Sequence, residues 1–238
     1  PPAPHEGHAT ARTTIAVGAQ EAGSIFGEIR HRRALHDALD LQRGFVPNTN
    51  LEMMSFQLRF HPQALHEENN HTNSVLLEKL DFIKVMSLMP ISPWVKPISW
   101  RVNLRFERVA DLGCLSWSCT AFTLQAGPGF ALETSLVGKE LFYGFTEVHL
   151  SAGPAYEKKG RISASASLGL LVQPAAFWRL HVEAGYFADY PTAQDLKFHR
   201  LQLKAGTNVA LSQNFALRAE MQQERTFREA TFSFLYYH

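Results

Sequence analysis

Apolar and polar residues alternate one by one through most of this 238-residue sequence. In residues 99–107, SWRVNLRFE, every second residue is apolar and the residues between them are charged or polar. Successive side chains of a β-strand point to opposite faces, so this segment is predicted to be a strand with one apolar and one strongly polar face. The same alternation recurs in residues 52–60, 178–186, 200–211, 215–224 and 229–238. The pattern predicts an all-β chain.

Such runs predict about twelve strands. They begin near Arg12, Ser24, Leu51, Val75, Pro97, Thr120, Leu141, Arg161, Trp178, Leu196, Phe215 and Arg228. The resulting spacing of roughly 20 residues suits a membrane-spanning strand of about 10 residues followed by a connection. The run after Val75, LEKLDFIKVM, loses its alternation and predicts a β-bulge. An even number of strands would place both chain ends on the same side of a closed barrel.

Composition decides which classes of protein remain. The 23 basic and 22 acidic residues give a net charge of +1, which does not suggest nucleic-acid binding. No stretch reaches the roughly 18 apolar residues that a membrane-spanning helix needs. A soluble sandwich or eight-stranded lipocalin-like barrel would point the apolar faces inward, whereas an outer-membrane barrel points them at lipid.

Two features favour the membrane barrel. Aromatic residues of the apolar faces lie towards strand ends, where interfacial girdles form, as with Trp100 and Trp178. The last run ends in alternating Phe232, Phe234 and Tyr236, which resembles the C-terminal strand signal of outer-membrane proteins. We therefore predict a transmembrane antiparallel β-barrel of about 12 strands, in the outer membrane of a Gram-negative envelope, with lipid around it and both termini periplasmic.

The chain is predicted to hold one domain. Residues 12–238 are expected to form the barrel, and residues 1–11, PPAPHEGHATA, a flexible lead-in. Because residue 1 is Pro and no signal peptide is visible, we expect that a segment was removed before it.

The polar faces of a membrane barrel line its lumen. The predicted lumen network consists of Glu28, Arg30, Arg32, Arg59, Arg101, Arg105, Glu107, Glu133, Glu147, Arg179, Glu183, Arg200, Lys204, Arg218, Glu220 and Glu224. A pore that selects one type of ion would show a ring of one sign, whereas mixed signs can pair across the interior and fill it. We expect a plugged lumen. A narrow solute pore stays the alternative, because the small residues of RISASASLG leave room on one wall.

Two predicted periplasmic connections, residues 34–50 and 87–96, are longer than barrels usually allow on that side. They predict a docking surface for a periplasmic partner, made of His36, Asp37, Asp40, Leu88, Met89, Ile91 and Trp94. The aspartates could instead cap a short helical turn, or bind a metal with His36. The apolar residues could instead pack under the barrel as a plug.

Few residues point to other chemistry. Cys114 and Cys119, in LGCLSWSC, are predicted to form a disulfide in an outer loop, with two unpaired thiols as the alternative. His61, His66 and His71 recur every five residues, a spacing that does not align metal ligands on a helix. His149 and Ser151 share a lumen face, and there is no Gly-x-Ser-x-Gly motif, so lipid hydrolysis is only a second alternative. No catalytic residue, cofactor or metal site is predicted.

The two long connections also carry a family resemblance. The quoted elements are His36-Asp37 with Asp40, Gly44-Phe45, Ser87-Leu88, the run Pro97-x-Ser99-Trp100-Arg101, and the opening GHATARTTIAVG. Over about the first 110 residues, the sequence resembles the C-terminal barrel region of a family of bacterial envelope proteins. In that family an N-terminal periplasmic domain, similar to the lipoprotein N-acyltransferase of Bacteroides, precedes the barrel.

The resemblance implies a membrane anchor or platform and transfers no activity. The acyltransferase-like domain has no counterpart in these 238 residues, and neither does its catalytic cysteine. The chain by itself is therefore expected not to be an enzyme. The predicted function is an outer-membrane barrel that anchors or scaffolds a periplasmic partner or a preceding domain.

Overall fold

The computed structural model describes residues 7–20, 24–41, 44–62, 74–109, 117–136, 138–156, 159–190, 199–224 and 227–238. Strands dominate these residues, and a 3-10 turn at Trp117–Cys119 precedes one of them. The strands are β1 Arg12–Gln20, β2 Ile25–Arg32, β3 Ala34–His36, β4 Thr49–Phe60, β5 Val75–Ser87, β6 Ser99–Arg108, β7 Thr120–Thr134, β8 Lys139–Ala152, β9 Gly160–Ala175, β10 Trp178–Asp189, β11 His199–Ala210, β12 Phe215–Glu224 and β13 Phe227–Tyr237.

Neighbouring strands pair antiparallel in chain order, and the sheet closes on itself. β1 pairs with β13 over nine residue pairs, from Arg12↔Tyr237 to Gln20↔Glu229. β2 and β3 both pair with β4, so together they occupy one strand position in the wall. The fold is therefore a closed, all-β antiparallel barrel of twelve strands, which confirms the predicted antiparallel barrel of about 12 strands.

The predicted bulge lies in β5. Its register shifts against β4 between Gln57 and Leu58, where Glu78 has no opposite residue, and against β6 between Asp81 and Ile83. An extra residue on one strand bends it and disrupts the alternation of its side chains. The lost alternation in LEKLDFIKVM is thus explained and the prediction is confirmed.

The apolar faces point outward and the polar faces inward. On β9, Ile162 and Leu168 are exposed on the outer surface, whereas Ser163 and Ser167 are buried inside. The same inversion makes Arg32 and Asn208 two of the most buried side chains. A soluble barrel would show the opposite arrangement. Within the described residues, no helix is long and apolar enough to cross a membrane.

Both chain ends meet at one end of the barrel, which we call the termini end; the opposite end is the far end. The backbone amides of Ala11 and His238 each donate to the other residue's carbonyl oxygen, at 3.2 and 2.9 Å. The His8 ring lies 4.1 Å from that of Tyr237. These contacts involve residues 7–11, the described part of the segment that the sequence predicts as a flexible lead-in; residues 1–6 lie outside the described residues.

Candidate functional site

A short turn folds into the lumen at the termini end. We call residues 37–41, which follow β3, the plug. Leu39 of the plug lies against Gly206 of β11, where an added Cβ would come within 2.7 Å of Leu39 Cδ1. A larger residue at this position would have to displace the end of the Leu39 side chain. Asp40 is 0% exposed, so this part of the first long connection is inside the barrel.

Asp40 is bound by side chains from four strands. Its carboxylate accepts hydrogen bonds from Arg12 (2.9 Å), Arg32 (2.7 Å), Arg218 (2.8 Å) and the Tyr237 hydroxyl (2.6 Å). Bonds from guanidiniums to a carboxylate are the stronger class of hydrogen bond. A buried charge without such partners would be strongly destabilising, so the four strands stabilise the inserted position of the turn.

Asp37 supports the same turn and binds the same arginines. Its carboxylate accepts from Arg218 at 2.7 and 3.0 Å and from Arg12 at 2.5 Å. Its Oδ1 also accepts the backbone amides of Leu39 and Asp40, at 2.9 and 3.0 Å. The side chain therefore caps the turn locally, as one interpretation of the sequence had it, and fixes the turn to the wall.

The arginines keep both carboxyls ionised. Burial by itself raises the pKa of Asp37, but the guanidiniums of Arg218 and Arg12, with that of Arg32, outweigh burial and hold this pKa well below its usual range. Burial also raises the pKa of Asp40, yet Arg32, with Arg12 and Arg218, lowers it further than burial raises it. The plug thus carries two negative charges among fixed positive ones.

The plug separates two cavities. On its far-end side lies a polar cavity of about 400 Å³, lined by Asp37 and Leu39 among others. On the other side lies a cavity of about 620 Å³, lined by Leu41, His8 and Tyr237 among others. Among the described residues the two cavities share no lining side chain. The plug therefore lies between the two cavities.

Aromatic rings cover the plug on the termini end. The Phe45 ring lies 4.7 Å from His8 and 4.7 Å from His36. Gly44 precedes it with φ of 78°, a left-handed conformation that favours glycine. The Gly44-Phe45 pair singled out in the sequence thus turns the chain so that Phe45 packs beneath the plug.

Farther along the lumen, three arginines pair with glutamates on strands that are not their neighbours. Arg101 on β6 donates to Glu183 on β10 at 3.0 and 3.3 Å. Arg30 on β2 donates to Glu220 on β12 at 2.8 Å. Arg59 on β4 reaches Glu229 on β13 with two bonds of 2.6 Å. The interior is therefore bridged by charge-assisted bonds.

The other predicted lumen residues also face inward, with one exception. Members that pair on their own or a neighbouring strand are Glu28 with Arg59, Glu107 with Arg105, and Arg200 with Glu224. Glu147 on β8 pairs with Arg101 across the intervening β7. Arg179 donates to the Asp40 carbonyl oxygen at 3.0 Å. Glu133 is exposed, because β7 extends past the rim before this position. Its inclusion in the network is corrected.

Sequence reasoning did not select Arg12, Tyr237 and Tyr143. Tyr143 donates to Glu183 at 2.6 Å, and the other two hold the plug. Strand parity could have found Tyr237, because its neighbour Tyr236 was assigned to the apolar face. Tyr237 was not selected because it adjoins the aromatic residues of the apolar face and its hydroxyl was not considered as a polar group.

The second long connection divides into a buried and an exposed part. Leu88 is 3% exposed and packs in an apolar cluster with Met86 and Tyr143, against which Ala38 of the plug also packs. The Ile91 amide donates to the Ala131 carbonyl oxygen at 2.8 Å. Beyond it, Trp94 is 93% exposed.

The predicted docking residues are therefore not one surface. Asp37 and Asp40 are bound by arginines, His36 is buried and hydrogen-bonds to Thr49 at 3.0 Å, and Leu88 lies in the apolar cluster. These four are corrected to interior positions, because the barrel interior supplies partners for both carboxylates and for His36 Nε2, and an apolar cluster for Leu88. Ile91 is half-buried. Of the predicted set, Met89 and Trp94 are exposed.

The remaining candidates have separate outcomes. Cys114, His66 and His71 lie outside the described residues, so the Cys114–Cys119 disulfide stays a prediction. His61 is buried beside Phe26, with ring centroids 5.8 Å apart. His149 Nε2 is 2.8 Å from the hydroxyl of Ser165, on the neighbouring strand. Within the described residues, no group of three or more His, Cys, Asp or Glu side chains could hold a metal ion.

A family model described as a domain of unknown function, DUF7840, matches residues 1–237. The chain belongs to the DUF7840 family. A comparison with curated protein sequences found no match.

Solved structures similar to this DUF7840 chain are outer-membrane porins and channels. The NanC porin aligns with a TM-score of 0.54 at 6% identity, over 95% of this chain and 99% of that one. The KdgM porin gives 0.52 at 7% identity, over 95% and 99%. An outer membrane channel from Pseudomonas putida F1 gives 0.52 at 9% identity, over 97% and 96%. At such low sequence identities, the similarity to these structures extends only to the fold.

The fold and the outer surface of the DUF7840 barrel together indicate the membrane in which it resides. Twelve closed antiparallel strands with an apolar outer face match the architecture of these porins. The protein is a multi-pass β-barrel of the bacterial outer membrane.

Proposed function

We propose that this DUF7840 barrel is a closed membrane anchor that holds a periplasmic partner or a preceding periplasmic domain at its termini end. The observation that carries the proposal is the plug, whose Asp40 is bound by Arg12, Arg32 and Arg218. A barrel whose lumen is interrupted by a charged turn is suited to holding something at its rim rather than to passing solute. The proposal takes the termini end to face the periplasm.

Features of the rim support the anchor. Residues 7–11 emerge beside the plug, and Trp94 is exposed at the same end. An exposed Trp is costly to leave in water, and aromatic residues anchor many protein interfaces. The favoured occupant is a periplasmic domain of the kind that the family resemblance implies.

Site-specific crosslinking tests the anchor. A photo-crosslinking phenylalanine analogue replaces Trp94 in the protein expressed in its native envelope, and a matched variant carries the analogue at Tyr190, which is exposed at the far end. Adducts at position 94 to a periplasmic domain, identified by mass spectrometry and absent at position 190, are expected. Adducts to lipid alone, or equal protein adducts at both positions, would contradict the anchor.

A gated pore for small solutes is the second candidate. It is favoured by one observation, the polar cavity of about 400 Å³ that remains behind the plug. If the plug moved out, this cavity would join the space on the termini end. Lipid chemistry is not proposed, because His149 and Ser151 face the lumen and not the lipid.

Planar-bilayer recording separates the two candidates. The anchor predicts no steady conductance for the wild-type barrel, whereas the pore predicts defined steps. Asp40→Asn, which weakens the plug, should produce openings in either case and so shows that the barrel has inserted. Steady wild-type conductance equal to that of Asp40→Asn would favour the pore and contradict the closed anchor.

A further inference from the structure

We propose that the lumen contains a binding site for a small carboxylate-bearing solute, with Lys204 as the side chain that pairs with the carboxylate. Lys204 lies on the inner face of β11 and lines the cavity of about 400 Å³. This inference concerns the space behind the plug and does not depend on what the termini end holds.

Lys204 differs from the other basic side chains around this cavity. Within the described part of the chain, each lysine or arginine that lines the cavity has a carboxylate within 4.0 Å, except Lys204. Among the residues that the structure describes, no hydrogen bond involves its ammonium group either. A cation in a protein lumen that makes no direct ion pair can attract an anion, and the attraction is stronger there than in bulk water.

The carboxylate directly opposite Lys204 on the wall already has other hydrogen-bond partners. Glu183 is the residue directly opposite Lys204 on β10. Its oxygens accept from Arg101 at 3.0 and 3.3 Å and from the Tyr143 hydroxyl at 2.6 Å. Glu183 therefore makes its hydrogen bonds to Arg101 and Tyr143, and the Lys204 ammonium has no direct ion pair among the described residues, so it stays available to a ligand.

The opposite neighbour supplies a second polar group. Gln222 on β12 is the residue paired with Lys204 across β11 and β12, and it lines the same cavity. An ammonium beside an amide can bind a carboxylate and an adjacent hydroxyl, which suits a small hydroxy acid or an acidic sugar. A cavity of this volume lies within the range of small-molecule sites.

Calorimetric titration of the detergent-solubilised, full-length barrel tests the site. The probes are D-glucuronate and its neutral counterpart D-glucose. Wild-type protein is expected to bind glucuronate at least tenfold more tightly than glucose. Lys204→Met should lose that difference, whereas Lys139→Met, which removes a lysine exposed at the start of β8, should keep it.

Heat-modifiability on gels shows that each variant is folded, and Lys204→Gln replaces Lys204→Met if the latter fails to fold. Equal glucuronate affinity in the wild type and the Lys204 variant would overturn the proposal. So would wild-type protein that binds glucuronate no better than glucose, or not at all.

Discussion

The Tyr237 hydroxyl donates a 2.6 Å hydrogen bond to Oδ1 of Asp40, which joins the last strand to the plug. Tyr237 is the residue opposite Arg12 in the β1–β13 pairing that closes the barrel, and Arg12 binds the same carboxylate. Two partners of the plug therefore come together only when the sheet closes. Plug docking and barrel closure are linked by this pair.

We predict that Asp40→Asn destabilises the folded barrel by about 3–5 kcal/mol, the range for removing one partner from a buried ion pair. The neutral amide would leave Arg12, Arg32 and Arg218 with less compensation. Urea titration in detergent micelles measures the effect. Glu133→Gln, on an exposed carboxylate, is the control and should leave the midpoint unchanged; an Asp40→Asn midpoint equal to the wild type would mean that the plug is not held by charge.

The two parts of the second long connection should respond differently to truncation. Leu88→Ala is expected to destabilise the barrel by about 2–5 kcal/mol, because it empties space in a buried apolar cluster. Trp94→Ala should leave stability unchanged, because the Trp94 side chain is exposed. Heat-modifiability on gels compares them, and equal losses in both variants would refute this division.

Acidification should release the plug only at low pH. Both carboxyls have a folded-state pKa below the ordinary aspartate value of 3.8, so their stabilising contribution is complete above that pH and is lost as pH falls through the folded pKa. Between pH 7 and pH 4, the contribution of the plug to barrel stability is thus expected to change little. Fluorescence-monitored unfolding from pH 7 to pH 2 measures it. A plug-dependent loss near pH 6, absent from Asp40→Asn, would contradict the assignment.

Leu203→Arg tests the lipid-facing side of β11. Leu203 points outward near the middle of its strand, where an arginine at mid-bilayer depth is expected to cost about 2–4 kcal/mol. Leu211→Arg, in the turn after β11, is the control and should cost at most about 1 kcal/mol, since charges near the interface are tolerated. Folding into liposomes under a urea gradient measures both, and similar losses would argue against a membrane-buried β11.

The cysteine pair is tested by mass spectrometry of the unreduced protein. We expect Cys114 and Cys119 to resist alkylation until a reductant is added, as a disulfide in an oxidising compartment would. Reduction should barely change barrel stability, because the loop that the bond closes is short. Free alkylation of both thiols without reductant would refute the pairing.

The sequence by itself determined the class, the wall and the environment of this protein. Alternation fixes which residues of each strand share a face, so the opposite faces of Leu203 and Arg101 followed from the local pattern. Even the bulge near Glu78 was visible as a break in that pattern.

Only the tertiary structure decided what fills the lumen. Parity places Arg218 inside, but its pairing with Asp37 joins residues 181 positions apart, and no local signal selects such a partner. The first long connection looked like a surface because loops usually lie outside, yet Asp37 and Asp40 are inside. The physical reason is that a buried carboxylate becomes stable only where several guanidiniums converge, and the convergence of Arg12, Arg32 and Arg218 exists only once the barrel has closed.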